Sequence, residues 1–157
     1  MEAPRWLADE MLGRLARYLR VLGHDTAYAR GVPDAEIAFR AREEHRRLIT
    51  RDRDLASRVP GSLLLSSVTL ADQLRQVMAE RPGLSGDPTF DRCTLCNGPL
   101  AGDAAVAKGR FPPGEDGPGT ETARWRCRDC GHVYWEGSHT ARMRQSLRQW
   151  LAPESGR

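Results

Sequence analysis

Lysine is almost missing from this chain. Lys108 is the only one among 24 basic residues, so the cationic groups are arginines. A GC-rich coding bias accounts for that as readily as selection for phosphate contacts, so arginine number alone decides nothing. Long apolar runs are missing too. No stretch approaches the roughly 20 apolar residues a membrane-spanning helix needs, and Glu2 stands where a signal peptide would be basic, so neither anchor nor leader is expected. Neither sign of charge dominates. A net charge of +3 permits a nucleic-acid partner without requiring one. Cysteine is scarce, with four in 157 residues. All four fall in CxxC pairs, which fits a metal in a reducing, cytoplasmic setting better than a disulfide framework.

Cys93 and Cys96 form one pair, Cys127 and Cys130 the other. Each pair can clamp one side of a tetrahedral ion, and zinc is the expected occupant of a closed four-thiolate site. Gly131 follows the second pair, where a tight knuckle turn needs an unhindered backbone. His132 and His139 are surface or packing residues in this reading, because four thiolates complete the shell. Apolar residues thin out after Met78, and a segment with so small a core commonly depends on a metal. The division expected is a domain over 1–82, a linker over 83–91 and a metal module with a C-terminal helix over 92–151. Residues 101–121, rich in Gly and Pro, read as an irregular excursion.

The first segment alternates strand and helix patterns. Trp6-Leu7-Ala8, Asp25–Ala29, Leu48-Ile49-Thr50 and Leu63-Leu64-Leu65 read as short strands. Met11, Leu12, Leu15, Ala16, Leu19 and Leu22 recur at helical spacing before Gly23, which closes that helix. Pro33 opens a second helix running to about His45, and Thr69-x-x-Asp72 resembles a capping box before a third. The C-terminal helix, from about Thr140 to Leu151, carries Met143, Leu147 and Trp150 on one face. The alternation predicts an α/β fold, a parallel sheet with helices on both sides.

Ligands on such sheets bind beyond the carboxyl ends of the strands. Asp9 follows the first strand and Asp52 the third, while Asp34 and Glu36 open the second helix on the same rim. Converging carboxylates repel one another unless a cation sits among them, and hard oxygen ligands select Mg²⁺ or Mn²⁺. Such ions support phosphodiester hydrolysis. Aspartate is also a preferred N-cap, and each acid taken alone reads more readily as a cap. Their shared edge favours a site. Asp54 is the weakest candidate, and Asp25 lies at the opposite rim.

The residues Leu7–Asp25, LADEMLGRLARYLRVLGHD, and Arg47–Leu55, RLITRDRDL, resemble the Mut-seven C-terminal family of PIN-like ribonucleases. In that family a PIN-like domain precedes a four-cysteine zinc ribbon, which the two CxxC pairs and the following Tyr134-Trp135-Glu136-Gly137-Ser138-His139 match in order. The resemblance implies a three-layer α/β/α PIN-like fold and a metal-dependent RNA phosphodiesterase. It carries the acidic set onto Asp9, Asp34 and Asp52, with Asp54 as a fourth acid and Glu36 competing with Asp34.

Arg14 and Arg17, one turn apart on the first helix, are candidates for the substrate backbone, together with Arg51 beside Asp52. Arg20 reads as solvated, and His24 and His45 as structural. Tyr134 and Trp135, with Arg124, Arg126 and Arg128, form either a stacking surface for single-stranded RNA or the packing of the ribbon on the first domain. The expectation is an endoribonuclease with structural zinc and catalytic Mg²⁺ or Mn²⁺, acting on RNA. The alternative is a non-catalytic RNA-binding or adaptor protein with the acids reduced to caps. A toxin-like nuclease held by a partner is the weaker third reading.

Overall fold

The computed structural model describes residues 3–81, 86–102, 124–135 and 137–153. Most of the expected irregular stretch, and the boundary at 82, lie outside these residues. Strands β1 (Trp6–Ala8), β2 (Thr26–Tyr28), β3 (Arg47–Thr50) and β4 (Leu63–Leu64) pair in the order β2-β1-β3-β4, all parallel. Between and after them run α1 (Gly13–Val21), α2 (Asp34–Glu43), α3 (Arg53–Arg58) and α4 (Leu70–Ala79).

Alternation along the strands builds a core on each face. Trp6, Ala8 and Ile49 join Leu15, Leu19, Leu74 and Val77 of α1 and α4. Leu7 and Leu48 point the other way, to Ile37, Ala41 and Leu55 of α2 and α3. The three-layer α/β/α arrangement follows directly, since strands buried on both faces need helices on both. Thr69 caps α4 as expected, accepting from the Asp72 N–H at 3.3 Å. Met11 departs from the expected helical stripe. It sits in a 3-10 turn, Glu10–Leu12, that precedes α1, and its side chain is exposed.

A second sheet, β5 (Leu100–Gly102), β6 (Arg124–Cys127) and β7 (Val133–Trp135), is antiparallel. The last helix, α5 (Ser138–Leu151), buries Leu147 completely and lays Met143 and Trp150 against the α1–α4 core. Trp150 meets Tyr18 with ring centroids 5.3 Å apart.

The cysteine loop docks on the amino ends of the parallel strands. Arg20 is buried, not solvated as its place on the helix suggested. Its Nε donates to the Thr26 carbonyl at 2.8 Å, and its Nη1 to the Thr94 and Leu95 carbonyls at 2.8 and 3.3 Å. Asn97 and Gly131 each follow the second cysteine of a pair, with φ of 68° and 77°. Both are in the left-handed region, which asparagine tolerates better than most residues with a side chain. Asn97 uses that side chain to dock. Its Nδ2 donates to Asp25 Oδ1 at 2.7 Å, and its Oδ1 accepts from the Thr26 N–H at 2.9 Å.

Asn97→Gly keeps the backbone turn and removes both docking bonds. Denaturant melts should show a loss of about 2 kcal/mol, with metal content unchanged. Unchanged stability would mean the docking bonds contribute nothing.

Candidate active site and metal centre

The carboxyl ends of β1 and β3 lie side by side, because Ala8 pairs with Ile49. The chain winds outward from β1 to β2, then crosses back to β3. That reversal makes the β1–β3 end the topological switch point, where open α/β sheets leave a crevice. Asp9 sits there, only 6% exposed. Its N–H donates to the Ile49 carbonyl at 3.0 Å, which fixes the backbone. Oδ1 accepts from the Glu10 N–H at 2.7 Å, and Oδ2 from the Thr50 hydroxyl at 2.7 Å. The same hydroxyl accepts from the Asp52 N–H at 2.9 Å. Thr50 therefore joins the two acids, a role not read from the sequence. The available signal was a hydroxyl at the last strand position, two residues before an acid.

Asp52 anchors α3 through Oδ1, which accepts from the Asp54 and Leu55 N–H groups at 2.8 and 3.1 Å. Its Oδ2 has no partner among the described residues. Asp9 and Asp52 thus both bond the start of their own helical segments, and Thr50 ties the Asp9 carboxylate to the Asp52 backbone. Asp34 is the first residue of α2, whose N-cap is Pro33, so it makes no cap bond. Its carboxylate lies 3.9 Å from Arg58 Nη1, and Glu36 and Asp54 are exposed in the first turns of their helices. Among the described residues, no three carboxylates gather within reach of one ion.

Asp9 is nonetheless unusual. A buried carboxylate is normally paired, and Asp9 has no ion-pair partner among the described residues. Mg²⁺ is commonly held by one or two carboxylates plus substrate phosphate rather than by a protein cage. Two acids, one with an open oxygen, fit that pattern.

The four cysteines are gathered more tightly. Their Sγ atoms all lie within 4.8 Å of one another. Cys93 and Cys130 are 3.7 Å apart, and Cys96 and Cys127 3.4 Å. A zinc tetrahedron with 2.3 Å bonds has edges of about 3.8 Å, so this set can hold a metal such as zinc. Burial and then the neighbouring thiols push Cys96 up to about 12. The Cys96 thiol thus keeps a proton that a divalent cation would displace, while at Cys93, against its burial, a hydrogen bond from Tyr134 helps bring the thiol down to about 7. Tyr134 directs its hydroxyl at this loop, 3.0 Å from Cys93 Sγ and 3.2 Å from the Thr94 N–H, which donates to it. Trp135 is half-buried, whereas Arg14, Arg17 and Arg51 are exposed.

A family model described as the Mut7-C RNAse domain matches residues 4–147. The chain belongs to that family. No curated protein and no solved structure matches it. The family description names a ribonuclease domain, which implies RNA as substrate. No helix among the described residues is long and apolar enough to cross a membrane.

At the opposite rim from Asp9, Asp25 is the most perturbed carboxylate among the described residues of this Mut7-C chain. Burial alone would raise it, but hydrogen bonds from Arg46 and Asn97 and the charges of Arg46 and Arg92 bring it down to about 2. Arg46 Nη1 is 2.7 Å away. A carboxylate depressed in the folded state stabilises above its ordinary value of 3.8, and that stability is lost as pH falls through about 2. In acid titration, Asp25→Asn should flatten stability against pH between about 4 and 2. An unchanged slope would show that Asp25 does not carry the linkage.

Proposed function

We propose that this protein is a metal-dependent endoribonuclease, with Asp9 and Asp52 as the core of its site and the zinc ribbon as a structural and RNA-guiding module. The observation that carries this reading is the buried Asp9 carboxylate, which has no ion-pair partner among the described residues and is linked through the Thr50 hydroxyl to the Asp52 backbone. A Mg²⁺ or Mn²⁺ ion held there would supply Lewis acidity, drawing charge from the phosphodiester and lowering the pKa of an attacking water.

The chain's own groups divide the remaining work. Thr50 occupies one lone pair of Asp9 Oδ2 and aims the others outward, a positioning role. Asp52 is held by its cap bonds at Oδ1, leaving Oδ2 for the ion. Asp34 faces only a long, exposed contact to Arg58. Such a pair is worth little, so Asp34 can leave it when RNA and metal arrive. Glu36 competes for that place, and Asp54 assists from α3. Arg14, Arg17 and Arg51 hold backbone phosphates, and Tyr134 and Trp135 present rings to the strand. Cys93, Cys96, Cys127 and Cys130 hold structural zinc, kept available by a reducing cytoplasm.

A second reading has its own support. Asp9 and Asp52 are each bonded to the start of their own helical segment, as in a non-catalytic RNA-binding adaptor. Cleavage assays separate the two. Zinc-loaded protein should cut single-stranded RNA with Mn²⁺ or Mg²⁺. Asp9→Asn and Asp52→Asn should each lose about 100-fold or more, and Thr50→Val about 10- to 100-fold, with folding and zinc content retained. RNA bound but left intact under both ions would favour the adaptor.

A further inference from the structure

A cavity of about 430 Å³ opens between α1, the segment from Phe90 to Thr94, the β6–β7 hairpin and the start of α5. The chain has four Trp, three Tyr and three Phe, and Phe90, Trp125, Tyr134 and Trp135 all line this one space. Each is half-buried. Phe90 stacks on Trp125 and His132 meets Tyr134 with centroids 4.7 Å apart, and part of each side chain still lines the cavity. Arg17 stands at the same wall, exposed and without an ion-pair partner among the described residues.

Phe90 gives the cavity a fixed wall. Its φ is 53°, a left-handed conformation that costs a bulky residue about 1–3 kcal/mol. Several contacts hold it there. The ring stacks on Trp125 with centroids 5.6 Å apart and planes at 27°, and the Arg144 guanidinium lies 5.1 Å from its centroid. The N–H groups of Thr89 and Phe90 both donate to the Val21 carbonyl, at 3.1 and 3.4 Å. Tyr134 is fixed as well, by its hydroxyl on Cys93 and Thr94. Phe90, Trp125 and Tyr134 are thus held in place before anything binds.

A purely apolar ligand makes no use of Arg17, and a bare phosphate makes no use of aromatic faces. A nucleotide uses both. The cavity lies toward the low end of the about 300–1,000 Å³ range of small-ligand pockets. Its place fits the same occupant. α1 begins beside the acidic rim at Gly13, and Arg17 lies about 6 Å further along, at 1.5 Å per residue. A strand with a phosphate at Asp9 can follow Arg14 and Arg17 to the aromatic walls.

We propose that this cavity is a subsite for one unstacked nucleobase of single-stranded RNA, and that it fixes the cleavage position at a set distance along the strand. The proposal rests on the ribonuclease reading above for its role in cleavage. A base seated there must be unpaired, so duplex RNA is excluded.

Binding is measured on zinc-loaded full-length protein carrying Asp52→Asn, with Mg²⁺ present, so that RNA persists. The probes are a single-stranded oligonucleotide, its duplex and inorganic polyphosphate. Two of the four tryptophans, Trp125 and Trp135, line the cavity, so single-stranded RNA should quench tryptophan emission while duplex and polyphosphate do not. Trp135→Ala should weaken single-strand binding about 5- to 150-fold, the worth of one stacked base, and Trp135→Phe should restore most of it. Arg17→Gln should lower the salt slope by about one without removing the quench. With Asp52 intact, Trp135→Ala should raise KM and shift the cut positions. If Trp135→Ala loses zinc, Phe90→Leu carries the same test.

Equal quenching by polyphosphate, or wild-type affinity in a folded Trp135→Ala protein, would overturn the subsite. Quenching with no cleavage by the wild-type protein leaves the base site standing and sinks the nuclease. Cleavage with cut positions indifferent to Trp135 does the reverse.

Discussion

Asp9 is a buried carboxylate with no ion-pair partner among the described residues. Burying a charge is costly unless it is paired or bound to metal. This charge is placed by the parallel pairing of β1 with β3, which aligns Ala8 with Ile49 and leaves Asp9 beside Thr50. The strand order fixes the rest. With β2 outside β1 and β4 outside β3, the crevice opens at these strand ends. Two positions past Thr50, Asp52 donates its backbone N–H to the same hydroxyl that orients Asp9. The proposed chemistry depends on this one shared threonine.

The cysteine cluster solves a different physical problem. Soft sulfur donors suit zinc, hard carboxylates suit Mg²⁺ or Mn²⁺, and the two sets lie at opposite ends of the parallel sheet. α1 connects those ends. It starts next to the acidic rim and delivers Arg20 to the cysteine loop at its last turn. A zinc ion with four thiolates carries net negative charge, and Arg20 sits close enough for Cys93 and Cys96 to favour its guanidinium against burial. Asn97 and Asp25 complete the joint. The ribbon is therefore seated by polar groups reaching out of its knuckle, while α5 is seated by apolar ones, with Leu147 wholly buried.

Much of this was legible in the sequence because short apolar strands ended in acids and the cysteines were paired. Leu48-Ile49-Thr50 announced a buried strand, and Gly23 the end of α1. The two CxxC pairs do converge. What escaped depended on contacts between distant segments. Arg20 reads as a surface arginine until Thr94 and Leu95, over seventy residues away, present their carbonyls. Asp25 was set aside for lying at the opposite rim, yet docking holds its carboxyl well below the usual range. Met11 matched a helical stripe whose first turn is 3-10, which rotates it outward. The 3.9 Å contact of Asp34 with Arg58, from a separate helix, was likewise not readable in the sequence.

The central claim concerns a cation at Asp9, and Mn²⁺ paramagnetic resonance reads it most directly. Zinc-loaded protein is titrated with Mn²⁺, alone and with a phosphorothioate RNA that resists cutting. One ion should bind per chain, more tightly with RNA present, and Asp9→Asn should abolish that binding while the cysteine site stays filled. Undiminished Mn²⁺ binding in a folded Asp9→Asn protein would contradict the account.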